Sequence, residues 1–422
     1  MSEKKATLLI KNIGQLVTMA GPYPRLGRKQ LNDIGLIKDG GIAAAGAEVL
    51  AVGHSDEVEG QAPLAEGCVV IDAKGAVVTP GLIDPHTHPV FSMTREKEFE
   101  MRIAGKNYME IAQAGGGIRA SVRDLRETPK KTLLEKTRKR LDRILRYGVT
   151  TIEAKSGYGL SMEAELKQLE VIRDLNQTHT IDLVPTFLGA HEIPDEYRDR
   201  RDKYIELINN EMLPAVMESK LAEFSDIFTE EGVYDIEESR CIQQAARQAG
   251  LGLKFHADEL KSVGGAELAA EMGAISADHL VYISDSGISA LAKAGTIAVL
   301  LPGTTFSLAG KQYAPAQKMI DEGVAVALST DCNPGSSYSE SLPFMISLAA
   351  LEMKMTAAEA LSAVTVNAAC AIDRGGKIGQ LQVGMPADIV IWEMADYREL
   401  PYHYAVNLVA QVIKGGQMVV GA

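Results

Sequence analysis

The sequence predicts an α/β fold: a (β/α)8 TIM-type barrel over residues 80–372, with a small β-sandwich domain built from both chain ends, 1–79 and 373–422. Three observations lead there. Strand-like and helix-like stretches alternate until eight strands are counted through the middle of the chain, the pattern of a barrel more than of an open doubly wound sheet. Both ends have a different texture, with short apolar runs broken by glycine. The chain of 422 residues, 46% of them hydrophobic, is too long for one ordinary domain but suits a large barrel with an accessory unit.

Taken in order, the first part offers candidate strands at 7–10, 41–45, 49–52 and 68–71, punctuated by Gly40, Gly41, Gly46 and Gly53, with no helical periodicity. The barrel strands are predicted at 78–83, 149–154, 181–188, 225–228, 251–255, 274–277, 296–301 and 324–328. Between them, 131–147 carries Leu134, Leu141 and Leu145 on one face and stops at Gly148. Residues 162–175 follow Ser161, a good N-cap, and carry Leu166, Leu169 and Ile172. The stretches 236–249, 266–272 and 288–294 each run into a glycine (Gly250, Gly273, Gly295) suited to ending a helix. The excursion 89–129, with Gly115, Gly116 and Gly117, is too long for an ordinary loop and predicts an element covering the active site. Further strands are expected at 378–382, 387–392 and 409–420, the last folded about Gly415 and Gly416.

Composition narrows the function. The net charge is −13, from 43 basic and 56 acidic residues, and no basic cluster is interleaved with aromatics. The basic run 130–146 has leucines at helical spacing and reads as a solvated helix face. Nucleic acid and membrane surfaces are therefore not expected partners; a small-molecule substrate is. The four cysteines (Cys68, Cys241, Cys332, Cys370) are scattered and fit a reducing compartment. With no long apolar span and no signal-like start, a cytoplasmic protein is the expectation.

The chemistry is carried by strand ends, where such barrels place their catalytic groups. His86 and His88 stand at i and i+2 at the end of an apolar strand, so both rings point to one side. The fifth strand ends in His256 with Glu259 three residues on, the sixth in His279 and the eighth in Asp331. Three imidazoles and a carboxylate can hold Zn2+ or Fe2+ and leave room for a water, whose pKa falls to about 7 on such an ion. Glu259 reads as a proton shuttle or as a carboxylate at a helix start. Asp331 reads as a ligand and proton acceptor, and His279 as a ligand or as a group polarising a substrate carbonyl. His54, His179 and His403 fall elsewhere and read as surface or loop residues.

This pattern resembles the amidohydrolase superfamily, as do the strings PGLIDPHTH at 80–88 and VGMPADIVI at 383–391. Within it, the chain is similar over essentially its whole length to the imidazolonepropionase family. The strings are REKEFEMR at 95–102, YMEIAQAGGGI at 108–118, EAKSGYGL at 153–160, TFLGAH at 186–191, HADE at 256–259 and STDCNPGS at 329–336. The resemblance implies hydrolysis of 4-imidazolone-5-propanoate to N-formimidoyl-L-glutamate in histidine degradation. It implies one Zn2+ or iron ion per subunit on His86, His88, His256 and Asp331, and a homodimer. It implies that Arg95, Tyr158, His191, Glu259, Asn333, Gly335 and Ser336 surround the substrate. Read from the residues alone, Arg95 suits a carboxylate or a surface pair with Glu96 and Glu98. Tyr158 suits loop packing, and Asn333, Gly335 and Ser336 suit a turn.

Binuclear relatives bridge two ions with a lysine on the fourth strand. Here that strand ends Phe228-Thr229-Glu230-Glu231, so one ion is expected, with Glu230 as the residue that could bridge a second. Lys155 ends the second strand and is expected to support the site from behind. The alternative enzyme is a mononuclear aminohydrolase of a nitrogen heterocycle, which would release ammonia. A hydantoinase or dihydroorotase fits less well without the lysine, and a non-catalytic scaffold would not need the ligands it retains.

Overall fold

A computed structural model of the protein describes residues 4–106, 110 and 116–421. Tyr108 and Gly115, in two of the stretches singled out above, lie outside the described residues. The middle of the chain forms eight parallel strands: β6 (Leu82–Thr87), β7 (Val149–Lys155), β8 (Asp182–Ala190), β9 (Phe224–Thr229), β10 (Gly252–Ala257), β11 (Ser276–His279), β12 (Ile297–Leu300) and β13 (Val326–Leu328), ordered sequentially. The seam between the last and the first strand is closed by the His88 N–H donating to the Cys332 carbonyl at 3.0 Å. Asp84 adds a side-chain clasp there, accepting from the Thr330 N–H at 3.0 Å and the Thr330 hydroxyl at 2.6 Å. Burial pushes the Asp84 carboxyl up to about 6.

The intervening helices start and stop where local chemistry dictates. Lys130–Arg146 buries Leu133, Leu141, Ile144 and Leu145. Met162–Asn176 is capped by Ser161, and Ile236–Gln248 by a reciprocal capping box between Asp235 and Glu238. Gly148, Gly250, Gly273 and Gly295 all take positive φ after helix ends, a backbone conformation that other residues rarely adopt.

The chain ends meet in one mixed eight-stranded sheet. It contains β1 (Ala6–Val17), β2 (Leu36–Ala45), β3 (Glu48–His54), β4 (Leu64–Asp72), β5 (Val77–Pro80), β14 (Ile389–Trp392), β15 (Val409–Lys414) and β16 (Gln417–Val420). Ile10, Ile13, Leu16 and Ile42 from the N-terminal part pack with Ile389, Ile391 and Ile413 from the C-terminal part. Apolar contact of this kind, and not any local signal, joins segments so distant in sequence.

Three expectations need correction. The run 78–83 is not one strand: it breaks at Gly81, β5 joining the terminal sheet and β6 the barrel. A β-carbon at Gly81 would meet the Thr150 hydroxyl at 2.3 Å, so the crossing between sheets is tight. Residues 378–382 form no strand; Leu381 is buried and its N–H donates to the Thr18 carbonyl. Two short helices, Gly27–Leu31 and Ser55–Gln61, interrupt the N-terminal strands. Each buries a single side chain, too few for a helical period to register in sequence. Among the described residues no helix is long and apolar enough to cross a membrane.

Candidate active site

β6 delivers His86 and His88 into one buried space, with their Nε2 atoms 3.3 Å apart. Asp331, three residues past the end of β13, brings Oδ1 to 3.6 Å from the first Nε2 and 3.4 Å from the second. β10 adds His256, its ring centroid 4.4 Å from that of His86 and 5.5 Å from that of His88. His256 Nε2 is buried with no hydrogen-bond partner, a costly state for a polar atom that nothing engages. Donors on a tetrahedral ion at bond lengths of about 2.0–2.1 Å stand roughly 3.3–3.4 Å from one another. The residues present therefore fit a metal ion.

Carboxylates behind the rings set which nitrogen faces the centre. Asp278 Oδ2 lies 2.6 Å from His86 Nδ1, and Asp226 Oδ2 lies 3.0 Å from His256 Nδ1. The hydrogen bond to Asp278 keeps the His86 proton on Nδ1 and leaves its Nε2 lone pair free, while Asp226 acts on His256 through its charge. Burial, together with the neighbouring cationic groups, holds His86 and His88 well below the ordinary histidine pKa. Burial also lowers His256, but the Asp226 carboxylate outweighs it and the net shift is upward. The Thr304 hydroxyl donates to Asp331 Oδ2 at 2.5 Å, fixing that carboxylate.

Facing the centre, Glu259 Oε2 lies 3.6 Å from His279 Nε2. Burial, reinforced by Asp331, pushes the Glu259 carboxyl up to about 8, while burial takes His279 down to about 3. His279 and Asp331 both have positive φ, 75° and 51°. Left-handed backbone at non-glycine strand ends is strain of the sort concentrated at functional sites.

The mouth is built from four loops, those after β6, β7, β8 and β13. His191, at the end of β8, stacks on His88 with centroids 5.1 Å apart, and its Nδ1 lies 2.9 Å from the Gly157 carbonyl. Tyr158 is buried with its ring 5.4 Å from that of His191. Arg95 donates from Nε and Nη2 to Glu98 Oε2 at 2.8 and 2.6 Å, and Gly335 lies directly under its guanidinium. Asn333 is committed to its own turn: Nδ2 donates to the Asp331 carbonyl, and Oδ1 accepts from the Gly335 and Ser336 N–H groups at 2.8 Å each. Ser336 Oγ completes that turn at 2.9 Å from Asn333 Nδ2.

The excursion after β6 carries the helices Glu96–Ile103 and Ile118–Glu127. Arg102 donates to the Gly335 carbonyl, Arg126 to the Gly159 and Leu160 carbonyls, and Arg119 pairs with Asp195. These contacts tie the excursion to the loops after β13, β7 and β8. Glu230, at the end of β9, accepts from the Leu260 N–H at 2.8 Å and the Glu231 N–H at 3.0 Å, so its carboxylate serves backbone.

The sequence reading missed Asp226, Asp278 and Thr304. Lys155 was placed behind the site, and it pairs there with Glu153 and Asp226 at 2.7 Å each. A signal was present: Glu153, Lys155, Asp226 and Asp278 are charges inside barrel strands, buried here. Such charges are seldom found without a partner.

The amidohydrolase family model matches residues 77–419. An imidazolonepropionase of a Geobacillus species is 51% identical over 98% of each chain, and one of Alkaliphilus metalliredigens is 50% identical over 98% of each. Among solved structures, a mutant atrazine chlorohydrolase of Arthrobacter aurescens, complexed with zinc and atraton, superposes at TM-score 0.75 with 18% identity, covering 98% of this chain and 95% of that one. A zinc-bound adenosine deaminase of Xanthomonas campestris gives 0.71 at 17% identity, over 99% and 94%. Likeness at that identity concerns the fold alone.

Proposed function

We infer the activity from one premise: the chain belongs to the amidohydrolase family and, within it, to the imidazolonepropionase family. It is a metal-dependent hydrolase that opens 4-imidazolone-5-propanoate to N-formimidoyl-L-glutamate in histidine degradation. The observation that carries this reading is the donor group of His86, His88 and Asp331, with the His256 ring against those of His86 and His88, in a chain half-identical to imidazolonepropionases.

His86, His88, His256 and Asp331 would hold a single zinc or iron ion. Such an ion supplies Lewis acidity, bringing water to ionise near neutral pH and polarising the ring carbonyl. Asp331 accepts the proton of the attacking water. Glu259, whose carboxyl burial pushes up to about 8, passes a proton to the ring nitrogen that departs as the amide C–N bond breaks. His279, kept neutral, presents its imidazole to the charge developing on the carbonyl oxygen. Arg95 orients the propanoate, and Tyr158, His191, Gly335 and Ser336 shape the space around the ring, with Asn333 bracing the last two. One ion per chain agrees with the absence of a lysine at the end of β9 and with the engagement of Glu230 by backbone.

The same reading extends to a homodimer in the cytoplasm, in keeping with four free cysteines. The structural units are 80–372 for the barrel and 1–79 with 373–422 for the accessory domain. The test mixes purified protein with imidazolone propanoate and follows the loss of its ultraviolet absorbance, with and without a chelator. Loss that the chelator abolishes is expected. No loss, or release of ammonia, would sink the reading, the latter in favour of an aminohydrolase.

A further inference from the structure

Beneath the donor set lies a second group of metal-type donors, and the chain's own cation stands among them. His86, Asp226 and Asp278 offer one atom each within 4.8 Å of one another, all buried. The Lys155 ammonium sits 2.7 Å from Asp226 Oδ2 and 3.8 Å from Asp278 Oδ2, and it also contacts Glu153 Oε1 at 2.7 Å. None of these side chains is exposed. Asp278 Oδ1 is buried with no hydrogen-bond partner. The groups come from β7, β9 and β11, alternate strands of the barrel, so they share one layer of its interior. An ammonium is a compact point charge on a flexible stem, and burying it is tolerable only in such a cage.

We propose that Lys155 is a resident cation in the place of a second metal ion. It holds together the two carboxylates that aim His86 and His256, and it closes the lower position to a divalent ion. The upper centre therefore takes one ion per chain. A neutral residue in its place removes the ammonium that contacts Glu153 and Asp226 and leaves Asp278 with the charge of Lys254 alone. A small one also leaves space, which a divalent ion fills using Asp226, Asp278 and the Glu153 carboxylate. This inference rests on the metal centre proposed above.

The experiment titrates metal-free, full-length protein with Zn2+, counting bound equivalents by elemental analysis and following thermal midpoints. Wild type is expected to bind one equivalent. Lys155→Ala is expected to bind two, with a lowered midpoint that the second equivalent restores. Lys155→Met refills the space without charge, so it is expected to show a lowered midpoint that excess Zn2+ does not restore. Lys155→Arg keeps the charge and should remain at one equivalent. Lys155→Ala that saturates at one equivalent, with no gain in midpoint from the excess, overturns the inference, as does wild type binding two. Wild type binding none sinks the metal centre itself, a distinguishable failure. Should Lys155→Ala fold only when Zn2+ is present, that dependence supports the inference; failure to fold with any divalent ion overturns it.

Discussion

Gly335→Ala tests the substrate-orienting role of Arg95 without touching the metal donors. A β-carbon there would lie 2.2 Å from Arg95 Nη1 and 2.8 Å from Cζ. Taking ordinary contact to begin at 3.4 Å, the guanidinium must withdraw by about 1.2 Å, a displacement comparable to those that cost catalysis severely. The side chain is not free to slide, because Nε and Nη2 both donate to Glu98. Gly335 has no positive φ, so alanine strains the guanidinium and not the backbone. A charge-assisted contact to a carboxylate contributes about 1.5–3 kcal/mol, and each 1.4 kcal/mol is tenfold, so KM should rise roughly ten- to hundredfold. The turnover number should change less, since orientation by the propanoate acts on ground and transition states alike. Steady-state rates from the ultraviolet decay of imidazolone propanoate measure this, with the thermal midpoint as the control for folding. A KM within about twofold of wild type would refute the placement of the carboxylate at Arg95.

Other perturbations probe separate parts of the argument. Glu259→Gln should lower kcat by roughly 10²–10⁴-fold with bound metal unchanged by elemental analysis; loss of metal would make Glu259 a holder of the ion instead of a proton carrier. Asp278→Asn removes the negative charge behind His86 Nδ1 and should weaken metal binding by roughly 10–100-fold in chelator competition, and an unchanged affinity would show that His86 needs no charged partner. Gly81→Ala drives a β-carbon into the Thr150 side chain and should cost about 1–3 kcal/mol in denaturant unfolding; an unchanged midpoint would mean the crossing between the two sheets yields easily.

Much of this architecture could be read before any coordinates, because alternation of strand and helix is a local property of the chain. Gly148, Gly250, Gly273 and Gly295 marked helix ends, and their positive φ angles follow from local backbone sterics. The run 78–83 was read as one strand because its apolar pattern is continuous. Only the competing sheets on either side of Gly81 divide it. The proposed donors His86, His88, His256 and Asp331 could be grouped in sequence for the same reason as the strands: they lie at or just past strand ends in a fold that works from its strand ends.

The carboxylates behind them were not legible as partners, although their presence in barrel strands was visible. Asp278 meets His86 across 192 residues of sequence, and no spacing rule reaches that far. Asn333 was equally ambiguous in sequence as a substrate contact or a turn residue, and its hydrogen bonds place it in the turn. The sequence by itself determined which chemical groups the protein brings to its barrel mouth, since side-chain alternation and strand position are written in the chain order. Tertiary structure alone decided which carboxylate aims which imidazole and where the buried ammonium stands. Those pairings depend on the closure of a barrel whose strands come from distant segments.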